Sequence, residues 1–388
     1  MPSMEIKHPV PAVWDIFCKV VDNFGDAGVC WRLAQILHRE HGLQVRLWLD
    51  GLATLHALAP AVDPAVAAQQ VEGISILRWT ADKDATDDAA VVIEAFGCGL
   101  PDAYVARMAA RPRPPLWIVL EYLSAESWVD SHHGLASPHP RLPLQRYFFF
   151  PGFTAATGGL LREADLIARR EAFDDEARSA FWRDLNFDVP APSALTVSLF
   201  AYADAPVTAL LTAIANDGEP AIVAVPDGVL MPAVRAFFRT ANDAARTWRR
   251  GALEVRALPF LPQAGYDELL WACDLNFVRG EDSLVRALWA ARPLVWQPYR
   301  QDDGAHQRKM DAFLQRYCAG MPAVVSGSFR ALWQAWNSDA TAWNPDLWPA
   351  FRAVTGDLGI HAGRRARELA DSAELAAQLV EFVRSRVE

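Results

Sequence analysis

Val13–Glu40 reads VWDIFCKVVDNFGDAGVCWRLAQILHRE, and this stretch decides the fold class. Val13–Val21 is an apolar run that predicts a buried strand. Asp22–Gly28 (DNFGDAG) is a turn rich in Gly and Asp. Val29–Glu40 then places apolar residues at helical spacing. Strand, turn and helix recur downstream. Gln44–Asp50, Ile74–Trp79, Ala90–Phe96 and Leu116–Leu123 predict further strands, with helical segments between several of them. Strands that alternate with helices form a mostly parallel sheet covered on both faces. Ser131–Pro143 is rich in Pro, His and Ser and reads as a loop, and Tyr147–Phe153 reads as a buried strand.

Glu163–Leu185 is charged and helix-prone, and Pro190, Pro192 and Ser193 then break the chain. The same rhythm restarts after them. Strands are expected at Leu195–Tyr202, Ala221–Val225, Leu253–Phe260, Leu275–Val278 and Leu294–Tyr299. Helices are expected around Val207–Ala215, at Pro232–Thr247, from near Asp282 and beyond Ala362. The expected organisation is a domain over 1–188, a second over 189–361, and a helix over 362–388 that packs back on the first. Doubly wound sheets bind ligands outside the carboxyl ends of their strands, so two in tandem are expected to face a central cleft.

Composition narrows the function. The chain has 388 residues, 52% of them hydrophobic and 22% charged, as in folded globular proteins. Lys and Arg number 37 against 47 Asp and Glu, a net charge of −10. Bulk attraction to a nucleic-acid backbone is therefore not expected. No apolar run reaches the ~18–20 residues of a membrane span. The N-terminal MPSMEIKHPVPAVWD lacks a signal-peptide core, so a cytoplasmic location is expected. Five cysteines at wide spacing, with no C-x-x-C pair, read as reduced thiols. Fifteen Trp either fill cores or wall a sugar or base site, and composition does not choose.

Three loops after predicted strands could carry chemistry. The first is Asp22–Gly28. It matches no phosphate-binding glycine motif, and Asp22 and Asp26 would repel a phosphate. It suits a cation or base chemistry, unless the two acids only cap the turn and helix. Gly25 and Gly28 would allow unusual backbone angles and close ligand approach. The second is Arg279-Gly280-Glu281-Asp282-Ser283. Asp282 or Ser283 as N-cap would leave backbone N–H groups for a phosphate, with Arg279 adding charge and Glu281 facing sugar hydroxyls. An ordinary capped helix is the alternative. The third is Pro259–Gln263 with Tyr266, where Gln263 and the ring could hold a nucleobase. Phe200 and Tyr202 could line the same site, or be core and rim residues. Gln301-Asp302-Asp303 matches a D-x-D metal motif only weakly and reads as a solvated loop.

These segments together resemble one family. VWDIFCKVVDNFGDAGVCWRLA, EYLSAE, GFTAATGGLLRE, LPFLPQ and FVRGEDSLVRALWA are similar, in order and spacing, to the bacterial protein-arginine rhamnosyltransferases that modify translation elongation factor P. The resemblance spans nearly the whole chain, and DNFGD combined with RGEDS is its specific part. It implies the GT-B glycosyltransferase fold, two Rossmann-like domains with acceptor bound by the first and donor by the second. The donor would be TDP-β-L-rhamnose, transferred with inversion to an arginine, with no cofactor and no essential metal. Asp26 would be the catalytic carboxylate, with Asp22 its neighbour and Glu281 also catalytic, and Glu281, Asp282 and Ser283 would belong to the donor site. Tyr202, Gln263 and Tyr266 would meet the nucleotide, with Phe200 a weaker match. The implied partners are the factor and the sugar nucleotide, with no nucleic acid and no membrane. One stretch departs. Similar sequences read W-H-I-Y-P-Q where this chain has Trp296-Gln297-Pro298-Tyr299-Arg300-Gln301. No donor contact is therefore carried over to Gln297 or Arg300.

Other functions remain to be separated. A GT-B enzyme could use another nucleotide-sugar and a small-molecule or lipid acceptor, and binding of TDP against UDP and GDP discriminates the donor. A solute-binding receptor would act outside the cytosol and does not need the loop acids. A nicotinamide enzyme would need the missing glycine fingerprint.

Overall fold

The computed structural model describes residues 13–22, 24–80, 88–240, 244–301, 304–338 and 342–386. Asn23, Asp302, Asp303 and the first twelve residues fall outside this set. The chain forms two compact units. Unit 1 runs to Ala164 and resumes at Asp371, and unit 2 is Asp165–Ala370.

Unit 1 contains β1 (Val13–Cys18), α1 (Phe24–Arg39), β2 (Gln44–Leu49), α2 (Leu52–Leu58), β3 (Ala68–Val71), β4 (Ile74–Arg78), β5 (Val91–Ala95) and α3 (Asp102–Ala110). It continues with β6 (Leu116–Leu120), α4 (Val129–His132), β7 (Ala136–Pro138) and β8 (Gln145–Phe149). Its sheet has the order β3-β4-β2-β1-β5-β6-β8-β7. The chain winds from β1 outward to one side and from β5 to the other, so β1 and β5 flank the topological switch point. The inner strands are buried on both faces and read as apolar runs. Asp15 interrupts β1 at 0% exposure but is fully engaged. It accepts from Arg46 at 2.5 and 2.9 Å, from the Trp48 indole at 3.1 Å and from the Tyr104 hydroxyl at 2.8 Å. A buried charge so paired avoids most of its desolvation cost.

Unit 2 contains α5 (Leu166–Ala172), α6 (Asp175–Asp184), β9 (Leu195–Leu199), α7 (Val207–Asp217), β10 (Ala221–Pro226), α8 (Met231–Phe238), β11 (Thr247–Arg250), β12 (Leu253–Leu258) and α9 (Gln263–Ala272). There follow β13 (Leu275–Arg279), α10 (Gly280–Trp289), β14 (Leu294–Gln297), α11 (Ala305–Tyr317), α12 (Ala323–Trp336), α13 (Leu347–Arg352) and α14 (Thr355–Ala370). Its sheet has the order β11-β12-β10-β9-β13-β14, with the switch point between β9 and β13. The last helix, α15 (Leu375–Arg384), belongs to unit 1, where Phe382 meets Tyr147 and Phe149 edge-on.

Several expectations need correction. The break between units lies at Ala164, not near residue 188. The reason is α6, whose Phe181 and Trp182 pack with Ala224, Leu258 and Leu269 of unit 2. Arg178 of the same helix donates to the Ala272 carbonyl at 2.8 Å and the Thr196 hydroxyl at 2.8 Å. The return falls at Asp371 rather than 362, because α14 stays in unit 2. Residues 232–247 are not one helix, since α8 ends at Phe238 with Arg239 in the left-handed region (φ 52°), and Thr247 opens a strand. The Ser131–Pro143 loop contains β7. Six of the tryptophans, Trp14, Trp31, Trp182, Trp333, Trp336 and Trp348, are among the largest fully buried side chains, so core filling accounts for them.

Candidate functional site

In unit 1 the helix begins earlier than the apolar spacing predicts. α1 starts at Phe24, so Asp26 is its third residue and is 2% exposed rather than set in an open loop. Its Oδ2 accepts the backbone N–H groups of Val21 and Asp22, each at 2.8 Å. An acid in the first turn that reaches back in this way ties down the chain entering the helix and complements the helix dipole. Gly25 and Gly28 both lie within α1, so neither supplies the irregular turn expected of them. Gly25 leaves room for the Asp22 side chain. A Cβ there would sit 2.7 Å from Asp22 Oδ2, while Gly25 N–H donates to the Asp22 carbonyl at 2.7 Å. The half-buried Asp22 carboxylate thus lies over Gly25, close to Asp26.

Two more residues close on Asp26 from other strand ends. Tyr122, just past β6, donates to its carboxylate. Asp50, just past β2, accepts Val20 N–H at 2.9 Å and adds a like charge nearby. Burial is the main effect on the Asp26 carboxyl and raises its proton affinity above the usual aspartate range. The N–H donors of Asp22 and Val21 and the Tyr122 hydroxyl oppose this, and Asp50 adds to it. Tyr122 is backed by Phe96, stacked on it at 4.6 Å and 17°. Phe96 holds φ 58°, a conformation that costs about 1–2 kcal/mol in a non-glycine residue. The loop that follows is pinned by Glu94, which accepts Gly99 N–H at 2.9 Å and the Trp117 indole at 3.0 Å. Beneath lie Cys18 and Cys30, whose mutual hydrogen bond and burial keep the Cys18 thiol protonated well above its usual range.

In unit 2 the candidates cluster at the ends of β9 and β13. The Arg279 guanidinium is stacked between rings, 4.5 Å from the Phe200 centroid and 4.7 Å from that of Tyr202. Its charge, expected to add to the helix N-terminus, lies against the two aromatics. Phe200 also meets Tyr266 edge-on at 5.6 Å. Tyr266 is half-buried beside Ser283. Burial raises its phenol above the usual range, and Ser283 opposes this. Gln263 opens α9 one turn before Tyr266 and is 7% exposed.

Asp282 and Ser283 are not N-caps. Gly280 adopts φ 67° and starts α10 at the strand end, so Arg279 holds the cap position and makes no side-chain cap bond. Asp282 and Ser283 lie inside the first turn, at 9% and 8% exposure. The N–H groups of a helix's first turn have no partner within the helix. Glu281 pairs with Lys309 of α11 at 2.9 Å. The Asp267–Arg286 pair, at 2.7 and 2.8 Å and almost wholly buried, locks α9 to α10 and so sets Gln263 and Tyr266 against Ser283.

Sequence reasoning therefore missed Tyr122, Asp50 and Phe96 in unit 1 and Lys309 in unit 2, and it singled out Gln297 without giving it a role. All but Lys309 stand within two residues of the carboxyl end of a strand, the one signal that could have found them. Among the described residues, no group of three or more His, Cys, Asp or Glu could hold a metal ion, and no helix is long and apolar enough to cross a membrane.

The chain matches known proteins along almost its full length. The family model described as Elongation-Factor P (EF-P) rhamnosyltransferase EarP matches residues 14–384. The protein-arginine rhamnosyltransferase of Pseudomonas putida is 46% identical over 377 residues, covering 96% of this chain and 99% of that one. Its counterpart in Pseudomonas aeruginosa is 43% identical over 374 residues, covering 96% and 98%. A solved structure reported as the structural basis for EarP-mediated arginine glycosylation of translation elongation factor EF-P superimposes with a TM-score of 0.68 at 34% identity, over 97% of this chain and 100% of that one. The spinosyn rhamnosyltransferase SpnG, at TM-score 0.51 and 13% identity over 96% and 99%, shares the fold. The architecture is that of GT-B glycosyltransferases, as expected.

Proposed function

The chain belongs to the family of elongation-factor P rhamnosyltransferases, and from that premise we propose that it transfers L-rhamnose from TDP-β-L-rhamnose to an arginine side chain of elongation factor P, with inversion at the anomeric carbon. Unit 1 receives the acceptor and unit 2 the donor. Action on a translation factor places the enzyme in the cytoplasm.

The observation that carries the chemistry is the buried Asp26, with Asp22 beside it. A guanidinium has a pKa above ~12, and an ordinary carboxylate cannot deprotonate it outright. Two carboxylates can bind it through charge-assisted hydrogen bonds and localise its charge, which leaves one nitrogen more nucleophilic. That nitrogen bonds to the anomeric carbon as the carbon–phosphate-oxygen bond breaks. Its proton passes to Asp26, whose raised proton affinity suits a general base, and TDP leaves with the bonding electron pair.

The developing charge on TDP meets the first-turn N–H groups of α10 and the Lys309 ammonium, with no metal required. Arg279 holds Phe200 and Tyr202 in place for the nucleotide. Gln263 and Tyr266 line the nucleotide site from α9, and Glu281, fixed by Lys309, accepts hydrogen bonds from sugar hydroxyls. The test is to mix purified protein, TDP-rhamnose and elongation factor P and to take the intact mass of the factor. A gain of one deoxyhexose, mapped to an arginine, supports donor, acceptor and reaction together. No gain with TDP-rhamnose bound would leave the donor site and overturn the acceptor.

A further inference from the structure

Gln297 ends β14 and is 6% exposed. A carboxamide buried between strand ends is costly unless its groups are used, and here both are. Its Oε1 accepts the Tyr202 backbone N–H at 2.8 Å, and its Nε2 donates to Asp204 Oδ1 at 3.1 Å. An N–H on one side and a carboxylate on the other allow the amide one orientation only. Asp204 is held in turn by Arg300, 3.3 Å from its other carboxylate oxygen. Tyr202 and Asp204 belong to one turn, which Ala205 N–H closes on the Tyr202 carbonyl at 3.1 Å. The Tyr202 ring has Arg279 4.7 Å from its centroid and Tyr299 edge-on at 5.7 Å. β13 separates β14 from β9 in the sheet, so the Gln297 side chain reaches past Arg279, its register partner, to grip the turn after β9.

We propose that Gln297 is a positioning residue for nucleotide binding: with Asp204 and Arg300 it fixes the turn that presents Tyr202 to the donor. The proposal rests on the reading of unit 2 as the donor site. Its oxygen sets the Tyr202 backbone, and its nitrogen with Arg300 neutralises Asp204, which would otherwise face the same turn as a bare carboxylate.

The test compares Gln297→Met, which keeps the volume and removes both hydrogen bonds, with Tyr202→Ala. Affinity for TDP is measured by calorimetry, and kcat and donor KM by intact mass of elongation factor P. Gln297→Met is expected to weaken TDP binding about tenfold and to raise donor KM in proportion, with kcat within about twofold. Gln297→Glu keeps the acceptor for Tyr202 but sets two carboxylates together. It should lose as much affinity, and Asp204→Asn added to it should restore most of the loss, a rescue that general destabilisation would not produce. TDP affinity within twofold of the parent in Gln297→Met, with Tyr202→Ala clearly weakened, overturns the proposal alone. Unchanged affinity in Tyr202→Ala overturns the nucleotide reading of unit 2 and the proposal with it. Should Gln297→Met fail to fold, the Glu and Glu/Asn pair decides by the presence or absence of rescue.

Discussion

The crevice beside β1 and the crevice beside β9 occupy equivalent places in two doubly wound sheets, and they are furnished in opposite ways. The first gathers carboxylates around one buried acid, which backbone N–H groups and a tyrosine hold in place. The second stacks a guanidinium between two rings at the head of a helix, with a lysine at its first turn. The scaffold sets only where a ligand sits; the residues just past the strand ends decide whether that ligand is a cation or an anion.

The comparison breaks most readily at Asp26. Asp26→Asn should fold, bind TDP as the parent does and lose about 10²–10⁴-fold in turnover. Near-normal transfer to the factor, read by mass, would remove Asp26 from the mechanism and leave unit 1 without a base. The next effect concerns how each crevice is held. Unit 1 anchors its acid to backbone, whereas unit 2 relies on the buried Asp267–Arg286 pair between α9 and α10. Asp267→Ala removes the carboxylate paired with a buried guanidinium and should cost about 3–5 kcal/mol in urea unfolding. A loss below about 1 kcal/mol would mean that solvent reaches the pair.

Smaller effects sharpen the contrast. Ser283→Ala should weaken TDP binding about fivefold by calorimetry, roughly one hydrogen bond, with turnover at saturating donor nearly kept; equal affinity would count against the first turn of α10 as a phosphate site. The smallest effect is on pH dependence. Asp26 must be ionised to accept a proton, so kcat/KM falls as pH drops through its raised pKa. The acid limb should therefore lie above the ordinary aspartate range. Asp50→Asn removes a like charge but retains an oxygen for Val20 N–H, so it should move that limb to lower pH. The opposite sign applies to stability: burial favours the protonated form of Asp26, so its contribution is lost as pH rises through that pKa. A limb that stays in place in Asp50→Asn would place Asp50 outside the field of the base.

What was legible in the sequence follows the same physics. The central parallel strands are covered on both faces and so read as apolar runs. The three strands absent from the sequence reading are β3 (AQQV), β7 (ASP) and β11 (TWRR), each antiparallel at or beside a sheet edge, short and largely polar. Edges are kept that way against intermolecular pairing, which erases the pattern. Asp22 and Asp26 were legible because strand, acids and helix are contiguous. Tyr122, Asp50 and Lys309 were not, because each reaches its partner from a distant part of the chain, and local spacing carries no trace of that. The first turn of α1 was hidden because Gly25 and Gly28 lower helix propensity where tertiary contacts supply the reason to be helical.

One junction has an engineering consequence. In unit 1 Leu160 forms a parallel bridge to Glu374 and its carbonyl accepts Leu375 N–H at 3.1 Å. Gly159 (φ 77°) lies so close to Ala373 that a Cβ would come within 2.0 Å of its carbonyl oxygen. The chain leaves unit 1 and returns to it at one fastened spot, so unit 2 is a single uninterrupted insertion in sequence. A short bridge from Ala164 to Asp371 should therefore splice unit 2 out without moving the anchored ends. The excised gene would encode the Asp22–Asp26 crevice alone, a minimal module whose grip on an arginine-bearing protein can be weighed with no sugar nucleotide present.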